Sequence, residues 1–277
     1  MKKMLLCLLL FHVAVSFAQE NDRKYFSLDA NYFYGTIVEH NPNIAHLITG
    51  HPTGIILSMN QKTYGFKAWE RRYNYPDFGY SFSFQDMKNP YLGKNYSLYA
   101  HFNFYFLKRN LMLRVGQGLA LTTQPYDPDD NYFNNAYGSK LLSSTYLMAN
   151  YSRQNIYQGL GLQAGISLLH YSNGDFQSPN TSTNTFSFNL GLNYLLEHEN
   201  IPQFVEKDPD EKIYTEPLHL NLALRGGVNT TGIIGSKKYP FYTFSVFADK
   251  ILNKKSTLHA GTEVFFSEAM KEFIYYH

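Results

Sequence analysis

The feature that most constrains this chain is a strict two-residue alternation, clearest between Tyr157 and Leu196. On the rising half, Leu160, Leu162, Ala164, Ile166 and Leu168 share one parity, and Gly161, Gln163, Gly165 and Ser167 share the other. Successive side chains of a strand point to opposite sides, so one face is apolar and the other small and polar. The returning half repeats this, with Phe186, Phe188, Leu190, Leu192, Tyr194 and Leu196 set against Ser187, Asn189, Gly191 and Asn193. Two further segments alternate as cleanly. Phe78, Tyr80, Phe82 and Phe84 oppose Gly79, Ser81, Ser83 and Gln85; Leu218, Leu220, Leu222 and Leu224 oppose His219, Asn221, Ala223 and Arg225. Greasy rows backed by small polar rows fit an antiparallel transmembrane β-barrel, apolar outside and polar inside. A soluble barrel or sandwich is the competing reading and would turn the greasy face inward. The aromatic content of 17%, mostly Tyr and Phe, favours the membrane form.

The N-terminus supplies the address. Lys2 and Lys3 precede an apolar run from Met4 to Val15, closed by Ser16-Phe17-Ala18. This predicts a signal peptide over residues 1–18, cleaved after Ala18, and export of a barrel domain over 19–277 to the bacterial outer membrane. The only cysteine, Cys7, lies in the leader. The mature chain therefore has no disulfide, no thiolate nucleophile and no zinc-thiolate site. Loss of Lys2 and Lys3 takes Lys+Arg from 24 to 22, against 22 Asp+Glu. That zero balance gives no electrostatic reason to expect nucleic acid.

Eleven strands are expected: Lys24–Thr36, Thr53–Tyr64, Asp77–Gln85, Asn95–Leu107, Leu111–Thr122, Leu142–Ser152, Tyr157–Ser172, Asn184–Leu196, Pro217–Val228, Tyr239–Lys250 and Ser256–Ser267. The second and sixth alternate poorly. Short connections at 108–110, 153–156 and 251–255 read as periplasmic turns, and long ones at 37–52, 123–140, 173–183 and 229–238 as extracellular loops. The segment 197–216 is long for a periplasmic turn. The Tyr157 strand then runs outward, and its last residues lie at the extracellular rim facing lipid. Bacterial barrels have even strand numbers, so eleven in one barrel predicts twelve or more and a C-terminally incomplete chain.

That rim carries His170-Tyr171-Ser172-Asn173-Gly174. His170 and Ser172 continue the greasy face, with Cβ atoms roughly 6.5–7 Å apart by strand rise. A serine becomes a nucleophile when a neighbouring base takes its proton and a third group orients that base. Asn184 shares the Phe186 face, and a hairpin centred near Ser178 would set it opposite Ser172. Asn173 and the backbone at Gly174 are candidate oxyanion donors. A His and a Ser near a membrane interface are otherwise ordinary interfacial polar residues.

His170-Tyr171-Ser172-Asn173-Gly174 followed by Pro179-Asn180 resembles the H-x-S-N…P-N signature of the lipid A 3-O-deacylases, the PagL-like or acyloxyacyl hydrolase family. The likeness is best from Gly159 through Tyr194 and weaker over Trp69–Gly79 and Arg114–Tyr126. It resembles the longer Bacteroidetes-type members, which continue past the end of this chain. The resemblance implies a cofactor-free serine esterase on the outer barrel wall that removes an ester-linked acyl or hydroxyacyl chain from the lipid A of lipopolysaccharide. By position, Ser172 would be the nucleophile, His170 the general base and Asn173 an oxyanion contributor. The family has a glutamate twelve residues after the serine, where this chain has Asn184. An amide fixes the imidazole tautomer but brings no charge; Asp175 is the nearest carboxylate.

Weaker constellations carry less. Glu197-His198-Glu199 lacks metal-site spacing, Gly226–Lys238 lacks the helix of a phosphate loop, and Asp127, Asp129 and Asp130 read as an exposed acidic loop. Arg114 is expected inside the barrel, and no metal site is expected. The alternative reading is a non-catalytic barrel, either a small porin or a structural protein. The sequence leaves open a homodimer.

Overall fold

Alternation becomes architecture once the strands pair. The computed structural model describes residues 24–207, 215–253 and 256–276, so the expected leader lies outside the described residues. Eight antiparallel strands form a closed barrel: β1 (Tyr25–Ile37), β2 (Thr53–Lys62), β3 (Asp77–Asp86), β4 (Lys94–Phe106), β5 (Leu111–Thr122), β6 (Leu141–Tyr157), β7 (Leu160–Ser172) and β8 (Thr183–Leu195). Closure comes from β1 against β8, in register from Ser27 opposite Leu195 to Ile37 opposite Thr185. Every strand thus has two partners, which satisfies backbone donors and acceptors without water and permits the wall to stand in hydrocarbon.

The faces fall as the parity requires. Leu98 and Phe188 are each 68% exposed and Leu190 66%, while their neighbours Ser97, Asn189 and Ser187 are buried. This apolar-out, polar-in wall is that of an outer-membrane barrel. β2 and β6 alternate too: Ser58, Asn60 and Lys62 of β2, and Ser144, Tyr146, Asn150 and Ser152 of β6, all point inward. Their weak chemical contrast arises because Ile56 and Met148 also turn inward and Ser143 and Thr145 outward.

An eight-stranded barrel has an interior just wide enough for side chains to fill. Here the lower interior is one polar network. Arg114 donates to both Asp29 oxygens (3.1 and 2.7 Å), to Ser58 Oγ (2.6 Å) and to Asn103 Oδ1 (2.6 Å). His101 bridges Ser81 and Asn60, 2.8 Å from each. Lys62 Nζ and Tyr105 Oη both reach Asp77 at 2.5 Å. The half toward Ser172 is apolar: Phe33, Ile37, Ile56, Leu92, Tyr99 and Tyr171 pack with Ile44 and Leu47 from a 3-10 turn at Pro42–Leu47. A filled interior does not fit the small-porin reading.

The expectation of eleven strands in one barrel needs correction. Eleven strands form, but the last three, β9 (Leu218–Asn229), β10 (Tyr239–Asn253) and β11 (Ser256–Ser267), make a separate sheet in the order β11-β10-β9. Two helices complete the described elements, α1 (Ala68–Arg72) and α2 (Glu268–Tyr276). The even-number rule is met by β1–β8, so the odd count carries no information about missing strands. The error has a plain cause: β9 and β10 alternate as barrel strands do, and parity does not say which edge a strand joins.

Candidate functional site at the rim of β7 and β8

The site begins with register. His170 stands opposite Asn184, and Tyr171 opposite Thr183. Asn184 therefore faces His170, not Ser172 as the expected hairpin centre would have it. The hairpin centres one residue earlier, at Gln177. On the other side of β7, His170 faces Thr145 and Ser172 faces Ser143 of β6. His170, Ser172 and Asn184 are partly buried and lie on the lipid-facing parity. Tyr171 between them points inward and is fully buried, its hydroxyl donating to Gln85 Oε1 at 3.1 Å.

His170 Nδ1 lies 2.8 Å from Asn184 Oδ1. An amide oxygen only accepts, so this bond places the ring proton on Nδ1 and leaves Nε2 with a free lone pair. The tautomer is that of a general base. Ser172 Oγ does not meet His170 here. It donates to Asn180 Oδ1 at 3.2 Å and accepts from Asn180 Nδ2 (3.0 Å) and from the Gly174 N–H (3.0 Å). Gly174 has φ +64 with open space around its Cβ direction, so backbone conformation rather than crowding favours glycine there.

Asn180 is the residue that sequence reasoning left without a role. It gathers Ser172, the Asn173 backbone N–H (2.9 Å) and Asp175 Oδ1 (3.0 Å) on one amide. The only sequence signal for it was the Pro179-Asn180 pair of the motif. Asp175, the nearest carboxylate, holds Asn180 and makes no hydrogen bond to His170. The Asn173 side chain donates to Gln177 O at 2.6 Å, while its Oδ1 is buried without a partner.

The loop bearing these groups is braced from two sides. From the 123–140 loop, Asn135 O and Ala136 O accept the N–H groups of Thr181 and Ser182 (3.1 and 3.3 Å), and Tyr137 Oη meets Thr183 Oγ1 at 2.5 Å. Burial pushes the Tyr137 phenol up to about 12, which keeps it a neutral partner. From the β9–β10 loop, Thr230 N donates to Asp175 O (3.0 Å) and its hydroxyl meets Ser178 Oγ (2.7 Å). Asp127 spends its carboxylate on the N–H groups of Asp130 (3.0 Å) and Asp129 (2.9 Å), which hold its pKa down. No group of residues suited to a metal ion occurs among the described residues.

Together these features define a membrane β-barrel with a histidine, a serine and an amide assembled on its outer wall. The family model for lipid A 3-O-deacylase (PagL) matches residues 53–193, just over half of the chain, from the start of β2 into β8. The chain belongs to that family and is an ester hydrolase by that membership. A search of curated proteins gives no significant match. Among solved structures, Neisserial surface protein A aligns at 13% identity with TM-score 0.40, over 61% of this chain and 96% of that one. The outer membrane enzyme PagL aligns at 15% identity with TM-score 0.38, over 59% and 97%. The β9–β11 sheet lies outside the family match.

Proposed function

We propose that this chain removes an ester-linked acyl chain from lipid A at the lipid-facing rim of β7 and β8, with Ser172 as nucleophile and His170 as general base. The observation that carries this reading is the 2.8 Å bond from His170 to Asn184, two residues from Ser172 on the same outward face. It sets the tautomer a base needs, in a position otherwise left to apolar side chains.

In this mechanism Ser172 Oγ turns from Asn180 toward His170 Nε2 and attacks the ester carbonyl as its proton passes to the imidazole. The tetrahedral oxyanion is held by the backbone N–H of Gly174, released when Oγ turns, and by Asn173. Collapse breaks the bond to the sugar oxygen, which takes the proton from the imidazolium. Water, deprotonated by His170, then hydrolyses the acyl-serine, releasing the fatty acid and restoring the hydroxyl. Asn184 holds the ring but adds no negative charge, so the imidazolium is less stabilised than beside a carboxylate. The setting suits an amphiphile: its ester lies at the headgroup boundary and its chain along Leu168, Ile166, Phe186 and Phe188.

The test is mass spectrometry of lipid A from cells producing the chain or its Ser172→Ala variant. Loss of one acyl chain with the parent and its retention with the variant is expected. Identical spectra from two folded, membrane-inserted proteins would leave the non-catalytic barrel as the reading.

A further inference from the structure

The barrel has a second end, at the β4–β5 and β6–β7 connections, and the length of β7 sets it roughly 40 Å from Ser172 at the usual strand rise. The segment 197–207 crosses this end. Val205 N–H donates to Tyr64 O and Val205 O accepts from Tyr75 Oη, each at 2.8 Å. Phe204 packs on Tyr64 and Tyr75, with ring centroids 5.2 and 4.8 Å apart. Beside this strap lies a cavity of about 370 Å³.

Four cations line the cavity, Lys62, Lys108, Arg109 and Arg153, and among the described residues no carboxylate does. Asp77, beneath them, meets Lys62 at 2.5 Å and Arg109 at 3.5 Å. Glu197, on the strap, is spent on the Phe26 N–H at 3.1 Å. Lys108 and Arg153 are exposed and have no ion pair or side-chain hydrogen bond among the described residues. Gln154 Oε1 accepts from Lys62 Nζ at 3.3 Å, which leaves the amide N–H groups to donate. The backbone carrying two of the cations is strained. Leu107, Lys108 and Arg109 have φ +49, +55 and +66 in succession. Side chains with a Cβ adopt that region at a cost, and such outliers cluster where ligands bind. Arg109 is further fixed between two rings, 3.8 Å from the centroid of Tyr105 and 5.0 Å from that of Phe204.

We propose that this cavity binds a phosphate group, with Lys108 and Arg153 as its direct ligands. Lys62 and Arg109 are held in place by Asp77 and give the floor its positive potential. The four cations outnumber Asp77 and Glu197, so the mouth keeps a positive surplus that an anion would balance. A guanidinium and an ammonium suit phosphate oxygens, the first as a fork and the second as a point charge. Two sources carry that chemistry, free inorganic phosphate and the phosphodiester of a phospholipid headgroup. Ile201 and Phe204 add an apolar wall that the lipid alone would use. The inference stands independently of the reading of Ser172.

The test is isothermal titration calorimetry of the full chain in non-ionic detergent micelles with three titrants: inorganic phosphate, dihexanoyl phosphatidylglycerol and neutral dihexanoylglycerol. Saturable one-site binding is expected with a phosphate-bearing titrant and none with dihexanoylglycerol. Equal affinity for the two phosphate titrants assigns the site to the free anion, and tighter binding of the phospholipid assigns it to the headgroup. Lys108→Gln/Arg153→Gln should raise Kd at least about tenfold, the scale of one charge-assisted hydrogen bond. Lys88→Gln, which removes a charge of the same sign from the β3–β4 connection at the other end, should leave Kd unchanged. Heat-modifiable gel migration checks folding, and Arg153→Gln alone serves if the double variant does not fold. A folded parent that binds neither phosphate titrant, or binds the neutral lipid equally, overturns the site. So does a folded double variant with the parent's Kd, or an equal loss in Lys88→Gln.

Discussion

The closed barrel and the β9–β11 sheet are written in the same pattern and end in different circumstances. In both, leucines and aromatics fill one face and hydrogen-bonded polar groups the other. Leu224 faces Phe244, which faces Val264, and on the opposite side Arg225 reaches Glu263 at 3.0 Å. The barrel's counterpart is Arg114 to Asp29 at 2.7 Å. Burial separates them: the barrel pair's side chains are 1% and 4% exposed, the sheet pair's 59% and 50%. Closure makes the difference. β1 meets β8, whereas β9 and β11 each have one partner among the described residues. Parity decides which face a residue takes; the edges decide what that face meets.

The largest effect should come from the matched ion pairs. Arg114→Leu strands Asp29 in a closed interior and should cost about 3–5 kcal/mol, read as a fall in the urea midpoint of the barrel in detergent. Arg225→Leu, in an exposed pair, should cost less than about 1 kcal/mol. Equal losses would mean that the sheet's polar face is enclosed as the barrel's is.

Lysine on the two greasy faces comes next. Leu190→Lys at mid-strand on the barrel should cost about 2–4 kcal/mol for folding into lipid vesicles. Leu222→Lys should stay within about 0.5 kcal/mol, because open strand edges are excluded from hydrocarbon. A cost like that of Leu190→Lys would place the Leu218–Leu224 face in lipid.

Two smaller effects address the rim, where the barrel and the β9–β10 loop touch. Asn184→Ala should lower deacylation about tenfold by freeing the ring, the scale of one hydrogen bond of ~1.4 kcal/mol. Asn184→Glu should raise it above the parent by supplying charge; a lower rate would show that the amide is the better partner here. Thr230→Ala removes the hydroxyl contacts to Asp175 O (3.3 Å) and Ser178 Oγ (2.7 Å), keeps the backbone N–H bond to Asp175 O, and should cost about 1 kcal/mol or less of local stability. Faster proteolysis of the 173–182 loop, with the barrel intact, is the measurement.

Much of this molecule was legible in its sequence because period two is a local property. Most strand bounds, the outward parity of His170 and Ser172, and the inward placement of Arg114 follow from it, but β6 runs on to Tyr157 through the turn expected at 153–156, and β7 begins at Leu160. What escaped was non-local. The closure of β1 on β8 depends on strand tilt and stagger, which no single segment encodes. The pairing of Asn184 with His170 depends on a loop with Gly174, Asp175 and Ser182 all at positive φ, so a symmetric hairpin placed the centre one residue late. Asn180 escaped because its partners lie within a turn that has no periodicity to read.

The filled interior has a kinetic consequence. With Arg114 and its neighbours occupying the lumen, the barrel offers no passage, and the proposed site is reached only from the surrounding leaflet. Substrate then arrives by lateral diffusion in two dimensions, and the quantity that saturates such an enzyme is the mole fraction of its lipid in the leaflet. Dilution of the cell suspension would leave turnover untouched. Thinning that leaflet with other lipids would slow it.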